Sequence, residues 1–241
     1  MTGTFALLGS GEFEPWSTEV DRWVLGRANG DGRVLILPTA SAREGDDVFD
    51  GWAAKGLEHF ASEGIPAEVV PLKTRADAER PELLARLAEA SAVYFSGGNP
   101  YYLSGVLLDS AFCKAMTDRI PRGLAYIGCS AGVACLTEMT YDSDTQDFEQ
   151  VFKPGLGLAR RVLFGPHWDM VEHWIPGATE FIVKSVPDGN VFIGLDEDTA
   201  IVGDGRIWHV MGRQSVHLRR GGDWEHHPSG VSFDLPVQGL A

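Results

Sequence analysis

Short, almost wholly apolar runs recur along this chain, each separated from the next by room for one helix. The runs are Thr4–Leu8, Arg33–Leu37, Ala67–Pro71, Ala92–Phe95 and Leu124–Gly128. A strand with one wet face alternates apolar and polar residues, whereas a continuously apolar run is buried on both faces. Between the runs lie amphipathic segments of helix length at about Thr18–Gly26, Gly45–Gly64, Pro81–Glu89 and Tyr101–Arg119. Pro81 at a first helical position and Gly64 just past an end supply the usual start and stop chemistry. This pattern predicts an α/β fold, a doubly wound and mostly parallel sheet with helices on both faces.

Beyond Ala131 the rhythm changes. A helix is expected over Ala131–Leu136, then a polar, acid-rich loop from Glu138 to Gln150. A strand at Arg161–Phe164 and a helix near Gly177–Val186 follow. The last sixty residues turn to strands at Val191–Leu195, Thr199–Val202, Arg206–Val210 and Ser215–Arg219, with Asp204-Gly205 as a two-residue hairpin signal. Antiparallel strands are thus appended to the sheet near the C-terminus. With no internal repeat or linker-like stretch, residues 1–241 are expected to form a single α/β domain.

Composition narrows the function classes. Hydrophobic residues at 44% and charged residues at 22% exclude a disordered or low-complexity chain. Twenty Lys and Arg stand against 34 Asp and Glu, a net charge of −14. Such a surface repels phosphate backbones and anionic lipid, so neither nucleic acid nor a membrane is an expected partner. No apolar run reaches the ~18 residues that cross a bilayer. The first basic residue is Arg22, so no signal peptide is expected and the protein is placed in the cytoplasm. Cys113, Cys129 and Cys135 form no CxxC pair and read as buried, reduced thiols rather than a disulfide framework or zinc site. The seven tryptophans are compatible with a homo-oligomer, although core packing is their commoner use.

In doubly wound sheets ligands collect at the carboxyl ends of the strands, and three such exits carry unusual residues. The first is Gly128-Cys129-Ser130-Ala131-Gly132. A strand ending in Gly-x-Ser-x-Gly before a small-residue helix is a nucleophile elbow, which lifts the serine hydroxyl above the sheet beside free backbone N–H groups. A serine N-cap with packing glycines uses the same residues. The second exit, Ser96-Gly97-Gly98-Asn99-Pro100, suits an oxyanion hole or equally a plain turn. The third, Gly165-Pro166-His167-Trp168-Asp169, offers His167 as a general base. A His167, Asp169 and His173 metal cluster has no further ligand set behind it, so no metal is expected. A histidine that activates serine needs an acid to hold its tautomer, and the loop after the elbow offers Asp142, Asp144, Asp147 and Glu149.

These exits, with Gly155-Leu-Gly-Leu158 and Ile193-Gly-Leu-Asp-Glu-Asp-Thr-Ala200, run in the order of a known family over about two thirds of the chain. The chain resembles the serine peptidases that include dipeptidase E (aspartyl dipeptidase) and cyanophycinase, on a flavodoxin-like fold similar to class I glutamine amidotransferases. The resemblance implies a cofactor-free hydrolase of a small peptide or amide, with Ser130 as nucleophile and His167 as general base. It implies an oxyanion hole from the N–H groups of Gly98 and Ala131, and substrate contacts at Gly97, Asn99 and Trp168. The third catalytic member is an acid between serine and histidine, for which Asp144 falls nearest the expected place. Asp196-Glu197-Asp198 would support the site or form a polar corner between strands, the latter being preferred.

One departure concerns specificity. Cyanophycinase-like members follow the histidine with a string of arginines, whereas Asp169-Met-Val-Glu-His-Trp-Ile-Pro-Gly177 contains none. This implies a pocket that takes no anionic group, or one that takes a cation. It also motivates a competing reading, a non-catalytic ligand-binding or regulatory domain on the same fold. A third reading, Cys129 as nucleophile, places the thiol one residue before the centre of the elbow, pointing toward the sheet.

Overall fold

The computed structural model describes residues 3–145, 147 and 150–240. The first half alternates strand and helix: β1 (Thr4–Leu8), α1 (Thr18–Leu25), β2 (Val34–Leu37), α2 (Asp46–Ser62), β3 (Ala67–Val69), α3 (Pro81–Arg86) and β4 (Ala92–Phe95). Two helices, α4 (Pro100–Leu107) and α5 (Ala111–Arg119), lead to β5 (Ala125–Cys129) and the short α6 (Ala131–Ala134). A small hairpin, β6 (Met139–Tyr141) and β7 (Phe152–Pro154), brackets the acid-rich loop. Next come β8 (Val162–Pro166), α7 (Trp168–Trp174) and α8 (Ala178–Ser185). The chain ends in strands: β9 (Val191–Leu195), β10 (Thr199–Gly203), β11 (Ile207–Gly212), β12 (Ser215–Arg220), β13 (Asp223–Pro228) and β14 (Ser232–Asp234).

The large sheet has the order β14-β11-β10-β1-β5-β4-β2-β3. From β1 through β3 all pairings are parallel, and β10, β11 and β14 add an antiparallel edge. Period two explains the continuous apolar runs. Leu35, Leu37, Val93 and Phe95 join the core beneath α3, α4 and α5, while Val34, Ile36, Ala92 and Tyr94 join a second core with Val20, Val24 and Phe60 of α1 and α2. Every one of these side chains is fully buried, so truncating a large one to alanine costs ~2–5 kcal/mol.

Three details depart from the expected elements. The helix expected over Tyr101–Arg119 is two helices, because Ser110 turns extended and caps α5 by accepting from the Cys113 N–H at 2.9 Å. The hairpin at Asp204-Gly205 is a three-residue loop, since the Asp204 carboxylate accepts from the N–H groups of Arg206 and Ile207 and keeps Arg206 out of the strand. The late strands do not all join one sheet. A second sheet has the order β13-β12-β9-β8, with β8 and β9 parallel, and its Phe164, Ile193, Leu195, Val216 and Leu218 complete the core on the α4 side. The corner 196–198 carries the chain from β9 in the small sheet to β10 in the large one.

Candidate active site

The exit of β5 makes a sharp turn. Ser130 has φ 49° and ψ −104°, a backbone state that costs a non-glycine residue on the order of 1–3 kcal/mol. Its surroundings hold it there. The Ser130 N–H donates to the Leu8 carbonyl at 3.0 Å, and the Ser130 carbonyl accepts from Val133 and Ala134. A Cβ at Gly128 would lie 2.4 Å from the Gly132 carbonyl oxygen, and one at Gly132 would lie 2.4 Å from that of Phe95. Both positions therefore admit only glycine if the strand and helix are to meet so closely. The turn leaves the Ser130 side chain partly exposed while Cys129 beside it is fully buried.

His167 follows β8 in the left-handed conformation, φ 54°, and its carbonyl accepts from Met170 and Val171 to start α7. The imidazole then lies between two side chains. Nε2 is 2.9 Å from Ser130 Oγ, and Nδ1 is 2.9 Å from Glu197 Oε1. A carboxylate only accepts, so the Nδ1 position carries the proton and Nε2 faces the serine hydroxyl as an acceptor. Glu197 is braced in turn. Its N–H donates to Asp169 Oδ1 at 2.8 Å, and Gln214 Nε2 bridges Asp169 Oδ2 and the Glu197 carbonyl.

The carboxylate on His167 thus comes from the 196–198 corner and not from the loop after the elbow. Asp144 is exposed and pairs with Arg43 at 3.1 Å. Asp142 accepts from Asn99 Nδ2 at 2.7 Å, a hydrogen bond that holds its carboxyl below the usual range. Asp147 accepts from Gln150 Nε2, and Glu149 lies outside the described residues. The three corner acids divide their partners: Asp196 bonds His217, Glu197 bonds His167 and Asp198 bonds Arg213. Register explains the placement. Pro166 pairs with Leu195 in the parallel β8–β9 ladder, so the residues just past each strand end emerge side by side.

Gly98 lies in the cleft with Ser130. It has φ 133°, and a Cβ there would press within 2.6 Å of the Ala40 and Ser41 backbone, so only glycine fits. Among the described residues no acceptor takes the Gly98 or Ala131 N–H. A Cβ added at Gly97 would lie 3.6 Å from Ser130 Cβ, which puts that glycine against the Ser130 turn. Its N–H is already taken by Glu12 Oε1 at 2.7 Å.

Asn99 and Trp168 do not face the cleft. Asn99 is buried, capping α4 through the Tyr102 N–H while it ties down Asp142. Trp168 opens α7 directly after the left-handed His167. Its ring lies against Phe192 and stacks with Trp224 instead.

No motif in the sequence marks Glu12. Its buried carboxylate accepts from the Gly97 N–H and from Cys129 Sγ at 2.9 Å, linking the exits of β4 and β5 beneath the serine. Burial, then the nearby Glu12 charge, pushes the Cys129 thiol well above its ordinary pKa. Among the described residues no group of three or more His, Cys, Asp or Glu is arranged to hold a metal, and no helix is long and apolar enough to cross a membrane.

The profile of peptidase family S51 matches residues 5–211. Cyanophycinase of Trichormus variabilis is 28% identical over 220 residues, covering 88% of this chain and 72% of the relative. Peptidase E of Salmonella heidelberg is 25% identical over 218 residues, 82% of this chain and 89% of the relative. The crystal structure of a peptidase from an acI-B1 Actinobacterium superposes with a TM-score of 0.89 over 98% of both chains at 28% identity.

Proposed function

The chain belongs to peptidase family S51, and from that premise we propose that it is a serine-type peptidase acting through Ser130, His167 and Glu197. The observation that carries the reading is the unbroken line from Ser130 Oγ through the imidazole to Glu197 Oε1, each step 2.9 Å. His167 Nε2 takes the hydroxyl proton as Ser130 Oγ attacks the scissile carbonyl, and Glu197 stabilises the imidazolium that forms. The N–H groups of Gly98 and Ala131, unclaimed by any acceptor among the described residues, hold the oxyanion. His167 returns the proton to the leaving amine, and a water that it activates then releases the acyl group.

Glu12 acts at one remove, as a positioning residue that keeps the Gly97-Gly98 turn beside the nucleophile. The substrate is a small peptide or amide, and no cofactor enters the scheme. Three unpaired, buried cysteines support a cytoplasmic setting. The test is labelling by a biotinylated fluorophosphonate with mass mapping. Modification of Ser130 in the wild type that collapses in His167→Ala supports the reading. A folded protein that takes no label overturns it and leaves the ligand-binding domain.

A further inference from the structure

The cleft over Ser130 has a volume of about 330 Å³, at the small end of ligand pockets, which run to ~300–1,000 Å³. Ser130, Gly98 and His167 form its reactive end. Apart from the polar segment of Asp142, Ser143 and Thr145, its walls are mostly apolar: Phe152 from β7, Phe181 and Ile182 from α8, and Val171, Trp174 and Ile175 along and just after α7. Phe152 and Phe181 stack with ring centres 5.7 Å apart and planes 11° from parallel. At the lip Trp174 is 56% exposed and Ile175 48%, more than any other large apolar side chain among the described residues. Asp142 is the one ionisable carboxylate in the described lining, and no lysine or arginine joins it. Two cations act on Asp142 from outside the lining: Arg43, which pairs with Asp144, and Lys153, whose ammonium lies over the Tyr101 ring.

This lining is suited to apolar surface and unsuited to an anion. A buried carboxylate needs a cation or several donors, and a substrate carboxylate here would meet Asp142 instead. During turnover the acyl group stays bonded to Ser130 while the amine departs and water takes its place, so the cleft over the serine is assigned to the acyl residue. On the proposed serine mechanism, on which this inference rests, we propose that the cleft selects an aliphatic or aromatic side chain on the acyl residue. The substrate class is a small peptide or amide with an apolar acyl residue, neither aspartyl nor arginyl.

A series of boronic acids reads the pocket without knowledge of the natural substrate. Ser130 Oγ adds to boron, its proton passing to His167, and the group on boron occupies the acyl site. The readout is the concentration that protects half of Ser130 from the biotinylated fluorophosphonate. Burying a leucine- or phenylalanine-sized group gives a gain of roughly 10- to 100-fold. Isobutyl- and phenethylboronic acid therefore protect at concentrations that much below methylboronic acid, and 2-carboxyethylboronic acid does no better than methyl. In Phe181→Arg the apolar probes lose roughly tenfold or more and the carboxyethyl probe gains. Best protection by the carboxyethyl or an aminobutyl probe, or a flat series, overturns the inference while labelling itself leaves the serine mechanism standing. Absence of labelling in the folded wild type overturns the mechanism and this inference with it.

Discussion

Replacing Glu197 by glutamine removes the negative charge that faces His167 Nδ1 and keeps the shape. The carboxylate oxygen is 2.9 Å from Nδ1, so the centres of the carboxylate and of the imidazolium that the proposed mechanism forms lie about 4 Å apart. At an effective dielectric of 20 their attraction is ~4 kcal/mol. About a third of the Glu197 side chain is exposed, and solvent screening reduces the figure to ~2–3 kcal/mol. A barrier raised by that amount slows the serine by roughly 30- to 150-fold, less than the ~10⁴-fold loss where a triad acid is buried. The assay is the second-order rate of fluorophosphonate labelling at Ser130, with Asp144→Asn in parallel. Asp144 faces Arg43, so its variant labels within about twofold of wild type. A Glu197→Gln protein that labels at the wild-type rate, or an Asp144→Asn protein that loses as much, refutes the assignment of the acid.

Three further outcomes follow from buried and bonded groups. Asp21 and His59 form a buried pair at 2.7 Å, and Asp21→Ala strands the imidazole; a cost of ~3–5 kcal/mol lowers the melting temperature by roughly 6–20 °C, and a calorimetric shift under about 2 °C would count against it. The Cys129 thiol, raised by burial, carries almost no thiolate at pH 8, so iodoacetamide leaves it unmodified in the native enzyme and alkylates it in urea; inactivation tracking Cys129 alkylation would restore the cysteine mechanism. Asp142 is held down by Asn99, so its folded pKa lies below the unfolded one. Its contribution is present above about pH 4 and is lost as pH falls through the depressed value. Urea midpoints of wild type and Asp142→Asn therefore converge below about pH 4, and a gap that widens in acid contradicts this.

Much of the architecture is local chemistry that one segment determines by itself. Val34 to Leu37 is apolar at every position, which suffices to bury both faces of β2 and so to demand helices above and below. Gly128 to Gly132 likewise holds the whole elbow: a strand, glycines where a Cβ would lie 2.4 Å from a carbonyl oxygen, and a serine raised between them. The split into two sheets was not legible, because β9 and β10 have the same apolar pattern and their partners, β12 and β1, are chosen by packing far along the chain. Phe181 and Phe152 looked like any amphipathic or strand residue until α8 laid one ring on the other to wall the cleft.

The acid on His167 marks the boundary most sharply. Seven carboxylates in two segments were chemically equivalent as sequence, and the loop ones lay closer in number to the serine. Residue type and spacing determined that a serine, a histidine and an acid were available at strand ends. Only the tertiary structure decided which acid. The β8–β9 register sets Pro166 beside Leu195, so His167 emerges beside the 196–198 corner, where Glu197, 30 residues on, is the acid that meets Nδ1. Pairing between strands is a long-range choice made by the packed core, and no local segment of this chain carries the energy that makes it.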